Sequence, residues 1–361
     1  MSCSAALPRY NSISICKSYF HPSTVPELPE VETVRRGLNQ VTLNQPILGG
    51  DVLLDRTIAS PSPSEFLDGL QGGAIAQWHR RGKYLLAELS LCASDRQDGS
   101  GDILGVQSNA PVDSLGVQPN ASTDILGVQP RGFAVAARAA PTGHPPIHPS
   151  THPPFLGVHL RMTGQLLWLH QSDPLQKHTR VRLFFPDNRE LRFVDQRTFG
   201  QMWWVPPGHP PESIITGLQL LGPEPLSPDF TLAYFTEKLN HRLRPIKNAL
   251  LDQAIVAGIG NIYADEALFL SQIRPQTLCA KLKPRQIARL HSAILQVLET
   301  AINARGTTFS DFRDVEGTNG NYGGVAWVYD REGEACRVCG NPIERLKMAG
   351  RSAHFCRKCQ K

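Results

Sequence analysis

No stretch of this 361-residue chain approaches 18 consecutive apolar residues, and the most apolar runs are broken by Gly, Pro or charge, which excludes a membrane-spanning helix. Asp and Glu are absent from positions 1–25, where Arg9 and Lys17 are the only firm positive charges. That composition faintly suggests a transit peptide, and the plainer reading is an untidy leader or an overextended start; no apolar segment there is adequate for secretion. Cysteine is scarce outside one cluster: Cys3, Cys16, Cys92 and Cys279 stand apart without pairing logic, and a chain this long does not call for a disulfide scaffold. Excess charge is also small. Lys and Arg number 37 against 32 Asp and Glu, giving +5, too little by itself to announce a polyanionic partner.

What is present is unevenly placed. The length is a prior for two domains with sizeable cores. Between Arg331 and Lys361 there are eight basic and three acidic residues, a local +5 equal to the net charge of the whole chain. The same segment holds Cys336, Cys339, Cys356 and Cys359 in the spacing C-x2-C-x16-C-x2-C, that of two knuckles presenting four thiolates to one tetrahedral zinc ion. Two redox dithiols are the alternative; the turn-forming Gly340, Asn341 and Pro342 after the second cysteine weigh against it. One structural Zn ion is expected, supplying folding energy to a module with little core of its own.

Along the chain, the pattern predicts an α+β protein. Acids near Pro29 and apolar Val31, Val34 and Leu38 predict a helix beginning there. Short β-rich runs follow at Ile47–Leu54, Ala74–Trp78, Tyr84–Leu89, Val158–Leu169, Val181–Phe185, Leu191–Val194 and Met202–Val205, with turn residues between them, as in a sandwich. Residues 92–154 interrupt the run with nine prolines, one aromatic residue and DILGVQ-type repeats starting at Asp102, Asp113 and Asp124. They read as a disordered insertion, cheap in loop-closure entropy. Beyond Pro206 the period turns helical, with helices expected over Phe230–Leu239, Ile246–Val256, Ile262–Leu270 and Pro284–Ala304. Two glycines in AGIGN (257–261) leave amides free at the next helix's start, where an anion such as a phosphate can sit.

Seven ordered blocks carry a resemblance: PELPEVETVRRG (26–37), RRGKYL (80–85), HLRMTGQL (159–166), DQRTFG (195–200), LGPEPL (221–226), LLDQAIVAGIGNIYADEALF (250–269) and the terminal cysteine module. Together they resemble the formamidopyrimidine-DNA glycosylase family from Pro26 to Lys361, the insertion aside. The resemblance implies an N-terminal helix plus β-sandwich domain over 26–207, a helix-two-turn-helix DNA-binding domain over 222–306, a flexible lesion loop over 307–324 and a four-Cys zinc finger over 325–361. It implies removal of oxidised purines from double-stranded DNA followed by β,δ-elimination at the abasic site, by a monomer. The expected location is the bacterial cytoplasm, nucleoid-associated through DNA, with organelle import by residues 1–25 as the alternative.

Residue by residue, the resemblance makes Pro26 the amine nucleophile, Glu27 the general acid/base and Glu30 a supporting acid. Lys83 and Arg351 complete the catalytic set, Lys83 by meeting the phosphate near the lesion. Asn261 is a further phosphate grip and His178 a DNA contact; apart from the resemblance, Arg242, Arg244 and Lys247 form a basic cluster ahead of the glycine loop, expected to meet DNA phosphate. Met162, Arg197 and Phe199 match the trio that fills the gap left by a flipped nucleotide. Gln196 and Thr198 depart from close relatives, which often carry Pro and Arg there. A larger departure concerns chemistry: Pro26 is internal, so its nitrogen is an amide and cannot form an iminium. Translation from Val25 read as an initiator, or removal of a leader, would expose it. A non-catalytic damaged-DNA binder with permanently capped Pro26 is the rival reading, and action on oxidised pyrimidines a narrower one.

Overall fold

The structure, a computed structural model, describes residues 25–91, 152–307, 313–315 and 317–361. The readings of 1–24 as a leader, of 92–151 as an insertion and of positions 308–312 and 316 of the lesion loop lie outside the described residues. The elements run α1 (Leu28–Val41), β1 (Gly49–Val52), β2 (Ile58–Ser60), α2 (Pro63–Leu70), β3 (Gly73–Arg81), β4 (Tyr84–Leu91), β5 (Phe155–His159), β6 (Gly164–His170), β7 (Thr179–Phe185), β8 (Arg189–Asp195) and β9 (Gln201–Val205). After these come α3 (Pro211–Ile214), α4 (Leu232–Leu239), α5 (Ile246–Leu250), α6 (Asn261–Leu270), α7 (Pro284–Asn303), β10 (Glu344–Met348) and β11 (Arg351–Phe355).

Among the described residues, one sheet has the order β2-β9-β5-β4-β3 and a second β1-β7-β8-β6, antiparallel except where β2 meets β9. Their facing sides interdigitate Ile75, Leu85, Leu156 and Val158 with Val181, Leu183, Leu191 and Phe193 in one core, the sandwich that the alternating strands predict. Helix α1 closes that core with Val31, Val34 and Leu38, while its first residue, Leu28, is buried in the helical core with Ile255, Ile259 and Ile262. One helix therefore pins both cores, and the residues at its start lie at the junction.

Three expectations are corrected. The run Val158–Leu169 is two strands in different sheets, broken at Arg161, which takes φ 55°. The helix expected over Ile246–Val256 stops at Leu250, because the Asp252 carboxylate accepts the Ala254 N–H at 3.0 Å and pairs with Arg244 at 3.0 Å; a side chain that bonds its own following backbone competes with helix. Helix α2 was not foreseen, although its start is marked: Ser62 caps it and the Glu65 carboxylate accepts the Ser62 N–H at 3.1 Å, the reciprocal capping pattern.

Candidate functional site

Glu27 sits at the start of α1, yet its carboxylate points across the junction to α6. It accepts the amides of Gly260 at 2.8 Å, Ile262 at 2.9 Å and Tyr263 at 3.4 Å. The glycines of AGIGN make that approach possible: a Cβ on Gly260 would lie 2.3 Å from the Glu27 carboxyl carbon, and one on Gly258, at φ +86°, 2.7 Å from Leu28. The anion at this helix N-terminus is thus the protein's own carboxylate, which corrects the expectation of a bound phosphate there. The site still follows the same electrostatics, free amides facing negative charge.

Burial dominates the titration of Glu27 and pushes its pKa up to about 7; Lys83 nearby opposes the rise, Glu30 adds to it, and the Ile262 and Tyr263 amides oppose it. Glu30 is buried beneath, accepting the Glu27 N–H at 2.9 Å, the Tyr263 hydroxyl at 2.5 Å and the Thr307 N–H at 2.8 Å; burial raises its pKa as well. Lys83 is half-buried, and desolvation lowers its pKa, opposed by Glu27 and Glu30 and assisted by Arg351. Lys83 therefore feels the charges of Glu27, Glu30 and Arg351, and Glu27 those of Lys83 and Glu30. Pro26 is buried directly beside them, preceded by Val25, which lines the cleft.

The cleft above this floor is about 1280 Å³ and brings together Glu27, Lys83, Met162, Phe199, Asn261 and Arg351. Phe199 is 52% exposed, and the exposed Arg197 lies over its ring at 5.3 Å. The backbone N–H of Arg197 is held by Thr163 and Asp195, at 2.9 and 3.2 Å. Asn261 Nδ2 reaches the Ser352 hydroxyl at 3.4 Å, so α6 touches the hairpin that carries Arg351. His178, half-buried at the start of β7 with Nδ1 3.2 Å from Arg180, does not line the cleft. The residue that the sequence reading overlooked is His159, in the HLRMTG block itself: it lines the cleft, and burial with the charges of Arg161 and Lys83 lowers its pKa to about 3.

Lys247 is corrected. It is fully buried, its ammonium bonded to Asp265 at 2.6 Å and to the Ser352 carbonyl, so it holds the β10–β11 hairpin from below and offers no charge to DNA. A basic cluster read in one dimension does not reveal which cation is interred. The RRGK turn divides in the same way: Arg80 and Arg81 grip Glu224 of the LGPEPL block at 2.5 and 3.2 Å, leaving Lys83 for the cleft.

The four cysteine sulfurs at the end of the chain lie within 4.8 Å of one another, with Cys339–Cys356 at 3.4 Å and Cys336–Cys359 at 3.9 Å. Tetrahedral bonds of about 2.3 Å to one zinc ion require sulfurs about 3.8 Å apart, so the residues fit a single Zn site. Four thiolates leave the metal no open position, making it structural. The module docks on α6 through Phe269 stacked on Trp327 at 5.6 Å, and the Glu266 carboxylate accepts the amides of Trp327, Val328 and Tyr329.

A β-sandwich and a helical unit joined at a cleft, with a buried acid near neutrality and a zinc-built cationic hairpin, define a class: an acid/base enzyme for a polyanion. The comparisons give the family. Profiles described as the formamidopyrimidine-DNA glycosylase N-terminal domain, its H2TH domain and the zinc finger found in FPG and IleRS match residues 25–202, 221–313 and 333–361. The chain is 57% identical over 337 residues to the formamidopyrimidine-DNA glycosylase of Nostoc punctiforme, covering 93% of this chain and 96% of that one, and 56% identical to that of a second Nostoc, covering 93% and 100%. A crystal structure of the Lactococcus lactis Fpg with abasic-site DNA superimposes with TM-score 0.70 at 29% identity, over 93% of this chain and 99% of that one. This chain belongs to the formamidopyrimidine-DNA glycosylase family, the DNA glycosylases of oxidised-base repair.

Proposed function

We propose that this chain removes oxidised purines, 8-oxoguanine and formamidopyrimidines, from double-stranded DNA and then cleaves the abasic site by β,δ-elimination, with Pro26 as nucleophile. The observation that carries the reading is Glu27: next to Pro26, held by the α6 amides, and titrating near 7, where it can both give and take a proton. The free amine of Pro26 attacks the sugar C1′ and the base departs with its bonding pair. The nitrogen then becomes an iminium that acidifies the C2′ proton, and loss of that proton drives the phosphate from C3′. Glu27 protonates the opening sugar, Lys83 and Arg351 meet the phosphates and assist elimination, and Asn261 and His178 support the strand. Met162, Arg197 and Phe199 occupy the gap left by the flipped nucleotide, offsetting an unstacking cost of a few kcal/mol.

The chemistry requires an amine at Pro26, whose nitrogen is an amide to Val25 in this chain. Borohydride trapping on an 8-oxoguanine:cytosine duplex tests it, comparing protein that begins at Pro26 with the whole chain. A covalent adduct from the shorter protein alone is expected. Absence of adduct from both, with duplex binding intact, favours the second reading, a non-catalytic damaged-DNA binder, for which the buried Pro26 and the cleft position of Val25 speak. A panel of lesion duplexes, oxidised pyrimidines included, ranks the substrates.

A further inference from the structure

Five basic side chains line the cleft: Arg56, Lys83, Arg161, Arg345 and Arg351. Lys83 and Arg351 act on Glu27 and its surroundings, and Arg345 pairs with Glu332 at 3.3 Å. Arg56 and Arg161 have no such employment. Several arginines of this fold are matched to carboxylates, Arg182 to Asp51 and Glu190, Arg244 to Asp252, Arg80 to Glu32 and Glu224, while others away from the cleft, Arg274 and Arg289 among them, bond neutral oxygens. Among the described residues no carboxylate pairs with Arg56 or Arg161. Their partners are neutral oxygens: the Thr198 hydroxyl for Arg56 and the Gln201 amide, at 3.2 Å, for Arg161.

Those anchors place the two guanidiniums at the wedge. Arg161 immediately precedes Met162, and Arg56 is bonded to the residue immediately before Phe199. The charge of Arg161 also reaches the cleft floor, acting on His159 and Tyr84. Its backbone sits at φ 55°, where a residue with a Cβ costs about 1 kcal/mol relative to glycine. The turn between β5 and β6 would form more readily with glycine, and it carries an exposed cation instead.

We infer that Arg56 and Arg161 bind phosphodiester groups of the duplex on either side of the inserted Met162 and Phe199, a second grip separate from Lys83, Asn261 and Arg351. The inference rests on the DNA-directed reading above. A phosphate offers what neither arginine finds among the described residues, anionic oxygens matching the guanidinium fork. Wedging side chains unstack and kink the duplex, a cost that contacts to the bent backbone repay.

The test is the salt dependence of binding to an abasic-site duplex by the full chain, compared with R161G, R161K and R56Q. Each phosphate contact contributes about 0.9 to the slope of log K against log salt concentration, so R161G and R56Q each lower its magnitude by about 0.9 and R161K preserves it. R161G relieves the left-handed backbone, and a melting temperature at or above wild type excludes unfolding as the cause of its loss. Slopes unchanged in R161G and R56Q while wild type binds overturn the inference and leave the DNA-directed reading standing; so does R161K losing as much slope as R161G. Failure of wild type to bind any duplex overturns both.

Discussion

The floor of the cleft and its rim are built on opposite principles. On and beneath the floor four acids are buried and saturated: Glu27 accepts three amides, Glu30 two amides and the Tyr263 hydroxyl, Glu266 three amides and the Tyr322 hydroxyl, and Asp265 binds Lys247 and the His354 N–H. On the rim, the side chains of Arg56 and Arg161 bond neutral oxygens, Phe199 stays outside both cores, and Arg161 and Thr198 take φ of 55° and 57°. Proton transfer needs groups fixed in advance, because reorganisation at the moment of reaction raises the barrier. Penetration of a duplex needs side chains that are not already committed. The difference teaches where stability is invested and where it is withheld.

The sharpest way to break this comparison is Lys247→Ala. If Lys247 belongs to the floor, the variant leaves Asp265 buried without its lysine, held by His354 alone, and loses about 3–5 kcal/mol of stability, read as a fall in denaturation midpoint. The salt slope of duplex binding, measured on the fraction that remains folded, stays at the wild-type value. A stable variant with a slope reduced by about 0.9 would return Lys247 to the DNA face.

Glu27→Gln sharpens it next, in the whole chain where Pro26 is an amide. The Glu27 pKa is raised from 4.5 to about 7 by burial, so the folded state holds its proton longer than the unfolded state does. The stabilising effect of that proton is fully present below about pH 4.5 and is lost as pH rises through about 7, a swing of about 3 kcal/mol. Gln carries no such burden. The stability of Glu27→Gln minus wild type is therefore expected to rise by about that amount between pH 4 and pH 8, on top of a pH-independent loss of one acceptor. Parallel pH curves for the two proteins would remove Glu27 from the desolvated floor. In protein beginning at Pro26 the same substitution lowers base excision about 10²–10⁴-fold, the usual span for a general acid.

How much of this was legible in the sequence follows the same division. The strands of the sandwich were readable because each alternates over its own few residues, and the zinc site because its four ligands lie within one short segment. The anchoring of Glu27 was not, because its partners are 233–236 positions away and nothing local distinguishes amides that await a phosphate from amides that await a carboxylate. Lys247 and Arg80 look identical to Lys83 in one dimension, and only folding decides which cations are spent on Asp265 and Glu224. Helix α2 was legible in Ser62, Pro63 and Glu65 and was passed over. The residues proposed for the wedge come from resemblance alone: an exposed phenylalanine has no periodic signature.

Phe199→Ala carries the smallest effect on the fold and for that reason isolates the rim. Its ring is half exposed and packs under Arg197 at 5.3 Å without entering either core. A residue so placed contributes little to folding, and its truncation is expected to shift stability by no more than about 0.5 kcal/mol. Binding to an abasic-site duplex should weaken, since removing the ring returns the flipped gap to water, while binding to an undamaged duplex, which offers no gap, stays near wild type. A destabilisation of about 2 kcal/mol or more, the cost of hollowing a core, would place Phe199 with the floor and erase the distinction between the two regions at the point where it is drawn most clearly.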